Sequence, residues 1–154
     1  MRTALLPAAL AFAALAIPLA AGAAPKPFTG PAGWDHHVTA TPSPMSPRSA
    51  ESWQRGDQSV SAVNASDVVY ADVIVAVHKN MTTNNVHPTL DRDMTCAGKP
   101  AHEIEMTLNG TTFHQLIVDE GTGAGTTRIT YSRPQSMTPA ADVTAALAAY
   151  CAAP

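Results

Sequence analysis

The sequence predicts an α+β fold, an antiparallel β-sheet with helices packed against it, and three observations carry that prediction. Between His102 and Tyr131 apolar and polar residues alternate in three runs separated by turn-forming residues, the pattern of an antiparallel meander. Two other stretches, Ser66 to Met81 and Thr138 to Tyr150, place apolar residues at helical spacing. Of the 154 residues the first 23 read as a leader, and the remaining 131 are enough for one domain with a sizeable core.

The leader opens on Met1-Arg2, a single positive charge, and runs from Leu5 to Ile17 without a charged residue. Pro18 interrupts any helix, and Ala21-Gly22-Ala23 offers the small side chains that a signal peptidase admits, so cleavage is expected after Ala23. Pro7, Pro18, the high Ala content and the lack of a flanking basic cluster argue against a membrane anchor. No Cys stands at the cleavage point to take a lipid. A secreted or periplasmic product without stable membrane attachment is expected. With Arg2 removed, eight basic side chains face twelve acidic ones with no run of like charge, which excludes the electrostatic footprint of a nucleic-acid-binding protein.

Export makes Cys96 and Cys151 candidates for a disulfide; unpaired core thiols or ligands are the alternatives, and geometry decides among them. Such a bridge ties the last helix to the sheet, and the chain-entropy account gives it about 4 kcal/mol of stabilisation.

Along the mature chain, residues 24–47 are rich in Pro, Thr, Ser and Gly and are expected to be a flexible N-terminal stretch, of which 31–47 can join the domain that occupies 48–154. Pro31-Ala32-Gly33-Trp34 reads as a turn delivering an aromatic anchor, His37 to Ala40 as a short strand, and Trp53 as a second anchor. Gln58 to Asn64 alternates Val60 and Ala62 with serines, as a strand does. Ser66 to Met81 is read as a helix, with Ser66 as N-cap and Asp67 in a negative first turn. Val69, Ala71, Val73, Val75 and Val77 alternate as a strand would, but about sixteen residues exceed ordinary strand length. Asn80 to Pro88 reads as a loop. The meander then runs from His102 to Leu108, turns at Asn109-Gly110, returns from Thr112 to Val118, crosses a Gly-rich link and ends with Thr127 to Tyr131. Thr138-Pro139 reads as the start of a last helix with Val143, Leu147 and Tyr150 on one face.

Three short motifs, Pro31-Ala32-Gly33-Trp34, Cys96-Ala97-Gly98-Lys99-Pro100-Ala101 and Ile129-Thr130-Tyr131 before an amphipathic helix, occur in the order found in the PsbP-like superfamily, which this chain resembles. The resemblance spans most of the mature chain. It implies an α/β/α sandwich used as a binding or assembly module, and it transfers no functional residue, because fold alone does not carry function.

Six histidines raise the question of a metal. His36 and His37 are adjacent, hence on opposite faces of a strand, and no pair shows a zinc-site spacing. His102 and His114, on neighbouring strands, are the candidate ligands for a soft, copper-type site with Met45, Met81 or Met94. Asp91-Arg92-Asp93 and Glu103/Glu105 are the close carboxylate pairs, and a solvated face is the reading for Glu103 and Glu105. Gly121 to Gly125 lacks the Lys-Ser/Thr of a phosphate loop and reads as a hairpin connection. There is no serine-nucleophile signature and no cofactor motif, so no catalytic residue and no cofactor is assigned.

The expected function is therefore that of an exported, non-enzymatic domain that binds an unknown protein or small-molecule ligand in the cell envelope or outside the cell. A copper-type metal-binding protein using His102 and His114 is the alternative, and an unrecognised hydrolase the third reading.

Overall fold

A computed structural model describes residues 25–43 and 46–152; the signal peptide expected at 1–23 and Met45 lie outside the described residues. Seven strands, β1 (Asp35–Ala40), β2 (Arg48–Arg55), β3 (Gln58–Ala65), β4 (Pro88–Cys96), β5 (Lys99–Leu108), β6 (Thr111–Gly121) and β7 (Gly125–Pro134), form one sheet in the order β1-β2-β3-β7-β6-β5-β4. Every neighbouring pair is antiparallel. Two helices complete the described residues, α1 (Tyr70–Thr83) and α2 (Ala141–Cys151).

Side chains alternate across a strand, so consecutive residues of β6 feed different cores. Leu116 and Val118 pack with Val60, Ile129 and Tyr131 against Val143 and Tyr150 of α2. Ile117 and its neighbour Ile104 pack against Val77 and Met81 of α1. One helix thus covers each face, an α/β/α arrangement in three layers.

The meander and the β3 strand follow their sequence pattern, with Asn109 and Gly110 both at positive φ in the tight turn (51° and 78°). Three local expectations change. Helix α1 begins at Tyr70, because Ser66 donates its hydroxyl to the Pro47 carbonyl (3.2 Å) and Asp67 pairs with Arg48 (3.2 Å), leaving neither to cap it. The expected loop from Asn80 shrinks to residues 84–87, since α1 runs to Thr83 and β4 starts at Pro88. α1 ends in a Schellman closure, with Asn85 at φ 53° and the Val86 N–H on the Met81 carbonyl (2.9 Å). Helix α2 begins at Ala141, past Thr138-Pro139, and it is the Tyr131 hydroxyl that accepts the Ala140 N–H (3.1 Å).

The Pro-rich stretch expected to be flexible is built into the domain in its described part. β1 pairs with β2, and Phe28 sits edge-on between Trp53 and Tyr150 (5.3 and 5.8 Å). Gly30 lies against the Trp53 indole, which a Cβ would strike. This segment holds both ends of α2. Lys26 Nζ donates to the carbonyls of Ala149, Tyr150 and Ala152 (3.2, 3.1 and 3.4 Å), where a cation suits the helix dipole. At the other end Asp142 accepts from Trp34 Nε1 (2.9 Å) and Arg55 (2.6 Å). Those hydrogen bonds, Trp34 foremost, hold the Asp142 carboxyl below its ordinary range.

The Cys96–Cys151 disulfide joins the end of β4 to the end of α2, and the Ala97 N–H donates to the Cys151 carbonyl (3.0 Å). Beside it Glu120 is buried, paired with Lys99 and accepting from Tyr150 Oη (2.8 Å). Burial pushes the Glu120 carboxyl up, but the hydrogen bonds from Lys99, Thr127 and Tyr150 and the Lys99 charge together bring it below its ordinary value; burial and Glu120 push the Tyr150 hydroxyl up.

Two outcomes are expected. Cys96→Ala with Cys151→Ala should lower unfolding stability in guanidinium by about 4 kcal/mol, the chain-entropy value for a separation of 55 residues. Glu120→Gln should cost about 1–3 kcal/mol near pH 7, the figure being held down because Lys99 is 35% exposed. A lowered carboxyl stabilises fully above its unfolded value of about 4.3 and ceases to do so as pH falls through the folded value. The gap between wild type and Glu120→Gln in thermal unfolding should therefore hold above about pH 4.3 and narrow only as pH falls below it, and a gap that stays constant into the acid range would contradict the assignment.

Candidate functional site

Strands β4, β5 and β6 carry polar side chains on both faces, and alternation sorts them into two clusters. In β4, Asp91 and Asp93 point toward α1 and Arg92 toward α2; in β5, His102 points toward α1 and Glu103 and Glu105 toward α2. His114 of β6 stands opposite Glu105, on the α2 face. The two histidines singled out in the sequence therefore lie on opposite faces of the sheet and do not converge. Met94 shares the His114 side, while Met81 and Met106 pack with the α1 core.

On the α2 face the helix and the sheet enclose a cleft of about 240 Å3. Its walls are apolar, chiefly Met94, Leu116, Tyr131, Val143 and Leu147. Its polar end is formed by Glu103, Glu105, His114 and Arg133. Glu103 pairs with Arg92 (2.6 Å) and lies 2.9 Å from His114 Nε2. Glu105 faces His114 Nδ1 (3.6 Å) and Arg133 (3.5 Å) and accepts from Thr89 (3.2 Å). Arg133 also donates to the Met137 carbonyl (2.7 Å), which fixes the start of the connection to α2. Glu103 and Glu105 do share a strand face, but it is the covered one; the solvated-face reading is corrected because α2 stands over them. This polar end was missed because the meander's alternation locates a face without saying which helix covers it.

On the α1 face His78, Asp91 and His102 meet. His78 Nε2 lies 2.9 Å from one Asp91 oxygen and His102 Nε2 2.8 Å from the other. The remaining nitrogens face Ile74 O (3.0 Å, from His78) and Asp93 (2.7 Å, from His102). Burial raises the Asp91 carboxyl, yet the hydrogen bonds and charges of the two imidazoles outweigh it and the group ends below its ordinary range. His102 is buried, whereas His78 and Asp91 are partly open. Of this trio the sequence singles out His102 as a ligand; Asp91 is visible in the Asp-Arg-Asp alternation, and His78 arrives only through the packing of α1.

The chain matches no known protein-family model and no curated protein.

Because His102 and His114 share no partner, their effects should be independent. The stability changes of His102→Ala and His114→Ala, measured by urea unfolding, should add in the double variant to within about 0.5 kcal/mol.

Proposed function

We propose that this is an exported, non-enzymatic binding domain, of the PsbP-like type, whose ligand is a small amphiphilic molecule seated in the cleft beneath α2. The observation that carries the reading is the cleft itself: apolar walls converging on a short polar end, the usual make-up of a small-molecule site. Each charge at that end already faces an opposite one, Glu103 with Arg92 and Glu105 with Arg133. The site therefore asks for a head group that hydrogen-bonds, uncharged or zwitterionic, rather than for a bare ion, and for an apolar body to meet Leu116, Val143 and Leu147. The disulfide supports residence in an oxidising compartment, secreted or periplasmic, reached through the leader. No described helix is long and apolar enough to cross a membrane.

A hydrolase is the second reading, because Glu103 and Glu105 both reach the cleft. They stand two residues apart on one strand, side by side rather than flanking a substrate, and each is engaged by a guanidinium. That is a poor arrangement for a carboxylate pair working from opposite sides of a bond.

A fragment library screened by two-dimensional amide NMR tests the proposal. Shifts are expected to centre on His114, Leu116, Val143 and Leu147, and Leu147→Trp, which fills the cleft, should weaken the hits at least ten-fold. Hits mapping elsewhere, hits undiminished by Leu147→Trp in a chain with native amide dispersion, or none at millimolar concentration would overturn it.

A further inference from the structure

On the other face of the sheet, we propose that His78, Asp91 and His102 form a binding site for a divalent transition-metal ion of the zinc class, held by the Nε2 atoms of the two imidazoles and by the Asp91 carboxylate. The candidate ligand atoms all lie within 4.8 Å of one another, from three separate elements: α1, β4 and β5.

The hydrogen-bond pattern carries the argument. His78 Nδ1 faces the Ile74 carbonyl (3.0 Å), which can only accept, so Nδ1 bears the hydrogen. His102 Nδ1 faces an Asp93 carboxylate oxygen (2.7 Å), so it too bears the hydrogen. In a neutral imidazole the other nitrogen is then a lone pair. Both of those lone pairs point at the two oxygens of one carboxylate, Asp91, at 2.9 and 2.8 Å. Acceptors facing acceptors need positive charge between them. Two added protons supply it by making both rings imidazolium; a single divalent cation supplies the same charge and engages all three side chains at once.

The surroundings favour the ion. A histidine that ligates a metal usually donates its other ring N–H to a backbone carbonyl or a carboxylate, which fixes the ring and raises its basicity. Both outer partners are in place here, one of each kind. The charges balance as well, because Asp91 and Asp93 together offset a divalent cation with both rings neutral. Metal–nitrogen bonds of about 2.0–2.1 Å put ligand atoms roughly 3.3 Å apart around a tetrahedral ion, so the imidazole–carboxylate separations of 2.9 and 2.8 Å need to open by about 0.5 Å. His78, 40% exposed on α1, can supply that movement, while buried His102 serves as the fixed wall with its ring edge-on to His78 (5.6 Å). Two nitrogens and a carboxylate suit zinc, nickel or copper(II) and not calcium or magnesium, which want oxygen throughout. The open side at His78 and Asp91 leaves a coordination position for water or another small donor.

Zinc added to the chelator-treated chain, followed by calorimetry and by metal analysis after gel filtration, tests the site. One equivalent per chain is expected, with binding at least ten-fold weaker in His78→Ala and in Asp91→Asn and unchanged in His114→Ala, which lies on the opposite face. Cobalt(II) in place of zinc should show intense visible bands of four- or five-coordination that vanish in His78→Ala. His102→Ala removes a buried ring, so His78→Ala, at a partly exposed helix position, is the deciding variant should the former not fold. Zinc binding unaffected by His78→Ala and Asp91→Asn in chains with native circular dichroism, or no zinc uptake by the wild type at millimolar zinc, would overturn the proposal.

Discussion

Helix α2 does not fix its own position, and the cleft depends on its being fixed. It is short and rich in Ala, has no side-chain cap at its N-terminus, and buries only Val143 and Tyr150 fully. What holds it comes from elsewhere in the chain. The disulfide and Ala97 fix its last residue, Lys26 takes its final carbonyls, Tyr131 receives the N–H just ahead of it, and Trp34 and Arg55 grip Asp142. A helix held mainly at its ends can stand off the sheet between them, and the cleft lies where Leu147 and Val143 face Leu116 and Met94.

Helix α1 is held differently. It closes its own C-terminus through Asn85 and Val86 and lies on Ile104 and Ile117 through Val77 and Met81. That seating presents His78 to β4 and β5 at a fixed height. The same strands thus carry an apolar-walled cleft on one face and a histidine–aspartate cluster on the other, kept apart by the alternation of side chains across the sheet.

How far the sequence reached can be judged strand by strand. The meander was legible because local rules suffice: alternation fixes the faces and Asn109-Gly110 fixes the turn. Strands β2 and β4 were not read. β4 is an edge strand that begins at proline and holds Asp91-Arg92-Asp93, so its sidedness is polar against polar and gives no hydrophobic period. Ser66 and Thr138 look like caps because cap preference is local, whereas Pro47 claims Ser66 through a tertiary contact. Of the candidate ligands, His102 was visible as a histidine on a strand, and His114 was paired with it only because the two strands are neighbours; the pleat, which an alignment of β5 on β6 determines, separates them. His78 could not be joined to Asp91 from sequence, since the two lie 13 positions apart with the end of a helix between them.

The alternation in β4 also bears on how copies of this chain meet. An edge strand offers unpaired backbone donors and acceptors to any strand that can lie alongside, which is the usual opening move of amyloid-like stacking. Here that edge carries Asp91, Arg92 and Asp93 in succession, and Asp93 is nearly fully exposed. A second copy laid antiparallel with Arg92 opposite Arg92 would set Asp91 against Asp93 and bring like charges into register. The residues that gather the imidazoles on one side and brace Glu103 on the other thereby also set charge along this border of the sheet, the kind of blunting edge strands commonly carry.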